Sequence, residues 1–467
     1  MSKYKYLFKN FGLLTISSLS TKVLVFFLVP LYTSVLSTEE YGIYDNYLTT
    51  INLLLPILVC DIWQAVFRFS IDKDSDKQLY FSIGIRYGIL ACFVLFIFEI
   101  INYTFNILPL FNIHPYLFLI MFMVRVFSNI CLEFARALEK IKEISIAGVI
   151  SSLFTILCNI LFLLVLKIGL EGFFLANIIG PFVQLFFLAY SMKLRHYCTF
   201  RRNKEQSITM VRYSSPMIIT DVAWWINGAL DRYIITSFCG LQETGVYSVG
   251  HKIPTILDLF SSLFGQAWNL SAIKEFDTET SLSFFERTYK YYNIFLVSVC
   301  SFLIVTSKII ASFLYAKDFF IAWKYVPFLL MATLFGGLSG FLGSFFSAAK
   351  NTKIFAISTC IGAIINIILN VLFIRRFGAL GAAFATTISY FVIWFMRLFC
   401  VKKLINLKLQ IFQDLIAYML LFIQIYVIET KIAHLFVIEL SLSIILFVVY
   451  FKEIYILFQK LLKVGIK

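Results

Sequence analysis

Runs of roughly 18–25 apolar residues follow one another along this whole chain, each long enough to cross about 30 Å of hydrocarbon as a helix. The runs are continuous and lack the alternation of a barrel strand, so helices must satisfy the backbone away from water. The pattern predicts about fourteen spans, near 11–35, 42–66, 80–105, 115–137, 145–166, 170–192, 212–238, 244–270, 289–314, 324–348, 354–374, 379–400, 411–428 and 434–451. Of 467 residues, 60% are hydrophobic and 14% charged, and the mean hydropathy is +0.88. A water-soluble chain of this length could not bury that much apolar surface. Positions 11–36 are too long for a cleavable signal and carry no small-residue cleavage site, so the first helix is expected to be retained.

Basic residues orient the spans. With the N-terminus in the cytoplasm, 28 Lys/Arg fall in inside segments and 7 in outside loops, while Lys22, Arg86, Arg125, Arg232 and Lys252 lie within helices. That bias puts both termini in the cytoplasm. The net charge of +14 then reflects topology and anionic headgroups, not nucleic acid. The richest inside loop, Lys193 to Arg212, reads as a linker (194–211) between an N-terminal lobe (1–193) and a C-terminal lobe (212–402). Residues 403–467 supply two additional helices and a cytoplasmic tail.

An internal repeat supports this division. Glu40-Tyr41-Gly42-Ile43-Tyr44 aligns with Glu243-Thr244-Gly245-Val246-Tyr247, and Gln64-Ala65 falls opposite Gln266-Ala267. Ala137 to Lys142 matches Ala348 to Lys353, Asn159 meets Asn370 (each in N-x-L-F), and Gly169-Leu170-Glu171-Gly172 with Ala176 matches Gly378-Ala379-Leu380-Gly381 with Ala385. The matches keep their order at spacings of 202 to 211 residues. Six spans separate partners, so the two six-helix lobes are parallel repeats about an axis along the membrane normal. The glutamate-glycine-tyrosine corner is then the outside turn between the first two helices of each lobe. Ser37 and Thr38 resemble a helix N-cap with acid in the first turn. Tyr41, Tyr44 and Tyr247 are expected at headgroup level.

Nine cysteines are scattered without a C-x-x-C pair, and the four histidines are equally dispersed, so no metal site is indicated. No G-x-x-x-x-G-K-[ST] loop and no nucleophile-and-base set appears. The chain reads as a carrier rather than an enzyme, without a cofactor.

The opening segment KNFGLLTISSLSTKVLVFFLVPLYTSVLSTEEYGIYDNYLTTINLLLPIL resembles the polysaccharide-unit flippases of the multidrug/oligosaccharidyl-lipid/polysaccharide exporter superfamily. Lys9-Asn10, Pro30-Leu31-Tyr32-Thr33, Leu36, Tyr41 to Tyr44, Pro56 and Gln64 to Phe69 carry the likeness. The six-plus-six arrangement with two trailing helices extends it over most of the chain. The resemblance implies a V-shaped, MATE-like bundle of alternating access in a bacterial inner membrane. It also implies export of undecaprenyl-pyrophosphate-linked oligosaccharides for O-antigen, capsule or exopolysaccharide, with a polymerase and chain-length machinery as partners.

An ionised side chain in hydrocarbon costs roughly 2.5–3.5 kcal/mol even on the lenient insertion scale, so internal charges need water, partners or a ligand. The cations suited to a pyrophosphate are Lys22, Arg68, Arg232 and Lys252, with Arg125 behind them. Each can equally be one half of an intramembrane ion pair, or can snorkel to the interface. Asp61, Asp231 and Asp258 can carry H+ or Na+ in exchange for substrate, or serve as counter-ions. Gly336, Gly340 and Ser344 form a small-residue stripe expected to pack helices closely. Two other functions compete with the flippase. One is an ion-coupled drug or organic-cation antiporter of the same superfamily, which would favour carboxylates in its cavity. The other is a membrane-embedded glycan polymerase or ligase, which would normally need a large outside loop.

Overall fold

A computed structural model of the chain describes residues 26–72, 75–275, 281–349, 352–405, 411–430, 435–453 and 455; in helix 254–275 and at a few helix ends, only the backbone of some residues is described. Lys22, most of the first predicted span and Lys350-Asn351 lie outside the described residues, as do the side chains of Gln266 and Ala267. The regular structure of the described residues is helical, without a strand. Eight of their helices are long and apolar enough to cross a membrane, and the bent pair Thr38–Leu58 with Ile62–Ser70 makes a ninth. The protein is an all-α integral membrane protein.

The helices show the inverted patterning of a bilayer solvent. On Lys77–Phe105, Ile89, Phe93, Phe96 and Ile100 recur at helical spacing and are exposed, while Gly84, Gly88, Ala91, Glu99 and Asn102 are buried. The apolar stripe faces outward and the small and polar residues face inward, as lipid demands.

The chain divides into two compact units, one running through Trp225 and the other starting at Ile226. The passage between them lies within the Lys204–Cys239 helix. In the first unit, Thr38–Leu58, Ile62–Ser70, Lys77–Phe105, Pro115–Ala137, Ile141–Asn159 and Leu170–Ser191 pack together. The segment that follows is docked rather than loose. Gln78 Nε2 donates to His196 O (3.1 Å), Ser82 Oγ to Tyr197 O (3.2 Å), and Arg86 to the carbonyls of Thr199 (2.7 Å) and Arg201 (2.6 Å).

The second unit holds Leu241–Gly250, Pro254–Glu275, Ser281–Leu314, Val326–Ala348 and the 54-residue run Thr352–Ile405, which Gly378 breaks into two helices. The trailing helices Ile411–Glu429 and Leu435–Val449 are fastened by polar contacts. Asn293 Nδ2 and Tyr450 OH both donate to Asp414 Oδ1 (2.7 and 3.0 Å), and Tyr418 OH donates to Asn293 Oδ1 (2.8 Å).

The repeat is visible in backbone geometry. Gly169 has φ 67°, ψ −134°, and Gly378 has φ 58°, ψ −145°, a region only glycine enters without strain. Asn159 and Asn370 each bond back to the carbonyl four residues earlier (2.7 and 2.9 Å). A Cβ on Gly172 would sit 2.8 Å from Phe162 Cβ, and one on Gly381 would sit 2.4 Å from Phe373 O. Phe162 and Phe373 are the matched phenylalanines of the two N-x-L-F motifs, so both lobes close the same joint in the same way.

The corner is a helix start. Ser37 accepts from Glu40 N (3.2 Å) and its own N–H donates to Glu40 Oε2 (2.7 Å), a reciprocal capping box opening Thr38–Leu58. The tyrosines behind it correct the headgroup expectation. Tyr41, Tyr44 and Tyr247 are 2%, 5% and 0% exposed, packed inside their lobes. Tyr41 stacks on Tyr32 (5.0 Å between ring centres), and Tyr44 meets Phe173 edge-on. The small-residue stripe also differs in detail. Nothing lies within 4 Å of a Cβ on Gly340, whereas Gly337 faces Ser261 Oγ at 2.7 Å and Gly343 faces the Phe355 ring at 2.7 Å. The close approaches fall on Gly337 and Gly343.

Candidate functional site

Among the described residues, a candidate site arises where the Thr38–Leu58 helix breaks. Pro56 carries no N–H, so the carbonyl of Asn52 loses its helical donor. Four residues on, Cys60 (φ 54°) and then Asp61 (φ 48°) take left-handed conformations, and the next helix leaves at 57°. Two successive non-glycine residues there cost of order 1–3 kcal/mol each, so the surroundings must hold the bend. The Lys204–Cys239 helix does so. Ser214 Oγ donates to the Cys60 carbonyl (2.6 Å), and Trp225 Nε1 donates to the Thr49 carbonyl (2.9 Å).

Between these elements lies a cavity of about 420 Å³ within the first unit. Trp63, Trp224 and Trp225 supply aromatic walls, and Asn52, Asn129 and Asp221 supply polar groups. No hydrogen bond engages the side chains of those three polar residues among the described residues. Asp61 is fully buried, neither of its carboxylate oxygens has a hydrogen-bond partner, and it lies close enough to Asp221 for the two charges to interact. The cavity therefore has aromatic walls and a polar lining not engaged by other side chains, the composition of a small-molecule site.

The residues singled out from sequence fall in different settings. Arg125 is half-buried on Pro115–Ala137, one turn before Asn129 on the same face, and its Nε makes no hydrogen bond. Arg68 closes the Ile62–Ser70 helix and pairs with Asp72 (3.5 Å), both side chains exposed. In the second unit Arg232 pairs with the adjacent Asp231 (3.2 Å) and donates to Gly228 O (2.7 Å). Asp231 also accepts from Tyr247 OH (2.6 Å), so its carboxylate is held by three donors including Arg232 N. Lys252 is half-buried in the break between Leu241–Gly250 and Pro254–Glu275, and Asp258 is exposed on the latter. Lys22 lies outside the described residues. Thus Asp61 comes together with Asp221, Arg125 stands one turn from the cavity, and Arg232 is spent locally on Asp231.

Sequence reasoning passed over the three tryptophans and two asparagines. A signal was present: three of the chain's six tryptophans stand beside intramembrane acids, in Asp61-Ile62-Trp63 and Asp221-Val222-Ala223-Trp224-Trp225.

A family model described as polysaccharide biosynthesis protein matches residues 7–269. The chain is 22% identical over 207 residues to a probable low-salt glycan biosynthesis flippase, Agl15, of Haloferax volcanii, and 24% identical over 201 residues to an uncharacterized membrane protein of Methanocaldococcus jannaschii. These alignments cover 43% and 42% of this chain, and it spans only 43% and 38% of the relatives' own lengths. Among solved structures, a lipid II flippase MurJ in an inward closed conformation aligns over 95% of this chain and 98% of its own (TM-score 0.74, 19% identity). An inward-facing multidrug resistance MATE family transporter of the MOP superfamily aligns over 84% and 98% (TM-score 0.68, 14% identity). At such identities the likeness establishes the fold.

Proposed function

The chain belongs to the polysaccharide biosynthesis protein family, and from that premise we propose that it is a flippase for lipid-linked oligosaccharides. In this reading it moves undecaprenyl-pyrophosphate-linked repeat units from the cytoplasmic to the outer leaflet of a bacterial inner membrane by alternating access. A polymerase and chain-length machinery then act on the product. The flippase names of two similar proteins support the activity. The structural observation that carries it is Arg125, a guanidinium in an apolar lobe with an unbonded Nε one turn from an aromatic and amide-lined cavity. An anionic diphosphate is the group such a fork suits. Lys22 and Lys252 remain further candidate cations, and Asp61 is the carboxylate we associate with H+ or Na+ coupling.

The test is complementation of a strain lacking its own repeat-unit flippase. Arg125→Ala is expected to lower surface-glycan output about ten- to a hundredfold at equal protein level, the loss of a charge-assisted hydrogen bond. Arg125→Lys should recover part of it, because charge remains while the fork is lost. Normal output from Arg125→Ala would remove this residue from the substrate path.

A drug or organic-cation antiporter is the second reading, favoured by Asp61 and Asp221 beside three tryptophans. Resistance to lipophilic cations, in place of restored glycan, would select it.

The same reading puts the docked segment 193–212 in the cytoplasm and the turn at 37–42 outside. Single cysteines at positions 202 and 37 in a cysteine-free background should label from the inside and the outside respectively. External labelling at 202 would reverse the orientation.

A further inference from the structure

We infer that the cavity at the break of the Thr38–Leu58 helix is a sugar-ring subsite, which takes one monosaccharide of the lipid-linked glycan. The inference rests on the flippase reading and deepens it. Three features carry it together.

The first is size. About 420 Å³ falls in the range of roughly 300–1,000 Å³ typical of small-molecule sites, too small for a whole repeat unit but ample for one ring. The second is the wall. A pyranose presents polarised C–H groups on its faces, which settle on the electron-rich face of an aromatic ring. Trp63 is 8% exposed and Trp225 is tied by its indole N–H to Thr49 O (2.9 Å), so these two are fixed in place, while Trp224 is 37% exposed. The third is the polar lining. Each asparagine side chain offers two donors and an acceptor oxygen, and a carboxylate offers acceptors only. Asn52, Asn129 and Asp221 make no side-chain hydrogen bond among the described residues. Hydroxyls around a ring match that mixed set, because each hydroxyl both donates and accepts.

A quaternary or lipophilic cation would use the tryptophans and Asp221 but none of the donors and acceptors of the two amides. The diphosphate of the same substrate needs a cation rather than this lining. Arg125, one turn from Asn129, stands about 6 Å along the helix axis from it. A sugar in the cavity would thus carry its anomeric phosphate within reach of the guanidinium.

The experiment titrates the purified full chain in lipid nanodiscs while following tryptophan fluorescence. The probes are N-acetylglucosamine, galactose and rhamnose in one arm and tetraphenylphosphonium in the other. At least one sugar is expected to quench saturably. Trp224→Ala and Asn129→Ala should each raise the half-saturating concentration about tenfold, the loss of one stacking platform or one amide. Trp323→Phe, on a segment outside the cavity, should leave it unchanged. Quenching by the phosphonium alone would overturn the subsite in favour of a cation site, and quenching by neither probe would overturn it outright. Complementation separates this from the broader reading. If the wild-type chain restores surface glycan and both cavity variants export normally, only the subsite falls. If the wild-type chain restores no glycan, the flippase reading falls whatever the titration gives.

Discussion

Arg397→Ala is expected to destabilise the protein by about 3–5 kcal/mol, a large share of the roughly 5–15 kcal/mol that holds a typical domain. The Arg397 guanidinium is fully buried in the second unit. Its Nε donates to Ser358 Oγ (2.9 Å), Nη1 to Ser339 O (2.9 Å), and Nη2 to Thr359 Oγ1 (2.8 Å) and Phe355 O (3.4 Å), with the Phe355 ring 4.1 Å away. No carboxylate pairs with it among the described residues. One planar fork thereby joins Val326–Ala348 to both halves of the Thr352–Ile405 run. Alanine would leave buried acceptors unanswered and a void beside them. Arg397→Lys should rescue little, because a point charge cannot reach acceptors in three directions. Thermal size-exclusion profiles of detergent-solubilised protein would show the loss. An unchanged midpoint for Arg397→Ala would refute the staple.

The second large effect is expected at the joint shared by the lobes. A Cβ at position 381 would lie 2.4 Å from a backbone oxygen, which has no rotamer to retreat into. Gly381→Ala must push two helix segments apart and should cost about 1–3 kcal/mol or more. Gly172→Ala meets a side-chain Cβ at 2.8 Å and should cost less. Gly340→Ala serves as the control. Its Cβ would meet nothing within 4 Å, and the gain in helix propensity is worth about 0.5–1 kcal/mol. Melting midpoints in the order Gly340→Ala, Gly172→Ala, Gly381→Ala, from high to low, are the expected result. A different order would mean that the joint yields where its geometry says it cannot.

Helices and repeat could be read from sequence because lipid enforces them residue by residue. Apolar length, the matched Gly169 and Gly378, and the N-x-L-F motifs are local signals, and the elements 115–137 and 170–191 follow directly from them. What failed to show was which side of a helix a residue occupies. Tyr41, Tyr44 and Tyr247 have the amphipathic chemistry of headgroup residues, yet the same chemistry suits a lobe interior. Arg397 sits near Lys402 and Lys403, so the charge count leaves it with the inner flanking basics, although its helix runs on to Ile405. Its acceptors lie up to 58 residues away from it in sequence, beyond any window that reads one helix at a time. The cavity escaped for a related reason. Charges are conspicuous in an apolar run, whereas tryptophan and asparagine draw notice only once the bend brings 52, 63, 129 and 225 together.

That bend belongs to one half of the chain only. The first unit interrupts its helix at 59–61, while the second does so at 251–253, just before Pro254. Shifted by the 203 residues that separate Glu40 from Glu243, these breaks land at 262–264 and 48–50, where the respective helices run on uninterrupted. The two repeated halves share their other joints, so each serves as the other's internal control. The glycine joints and the back-bonded asparagines recur in both copies, whereas the capping box does not: Ser37 caps the first corner, and Gly240 opens Leu241–Gly250 without a side-chain cap. The kink at Cys60-Asp61 stands in one half only, and the tryptophan-lined hollow stands beside it. Swapping Asn52 to Trp63 for the corresponding stretch of the second half would therefore ask what the first half's asymmetry is for.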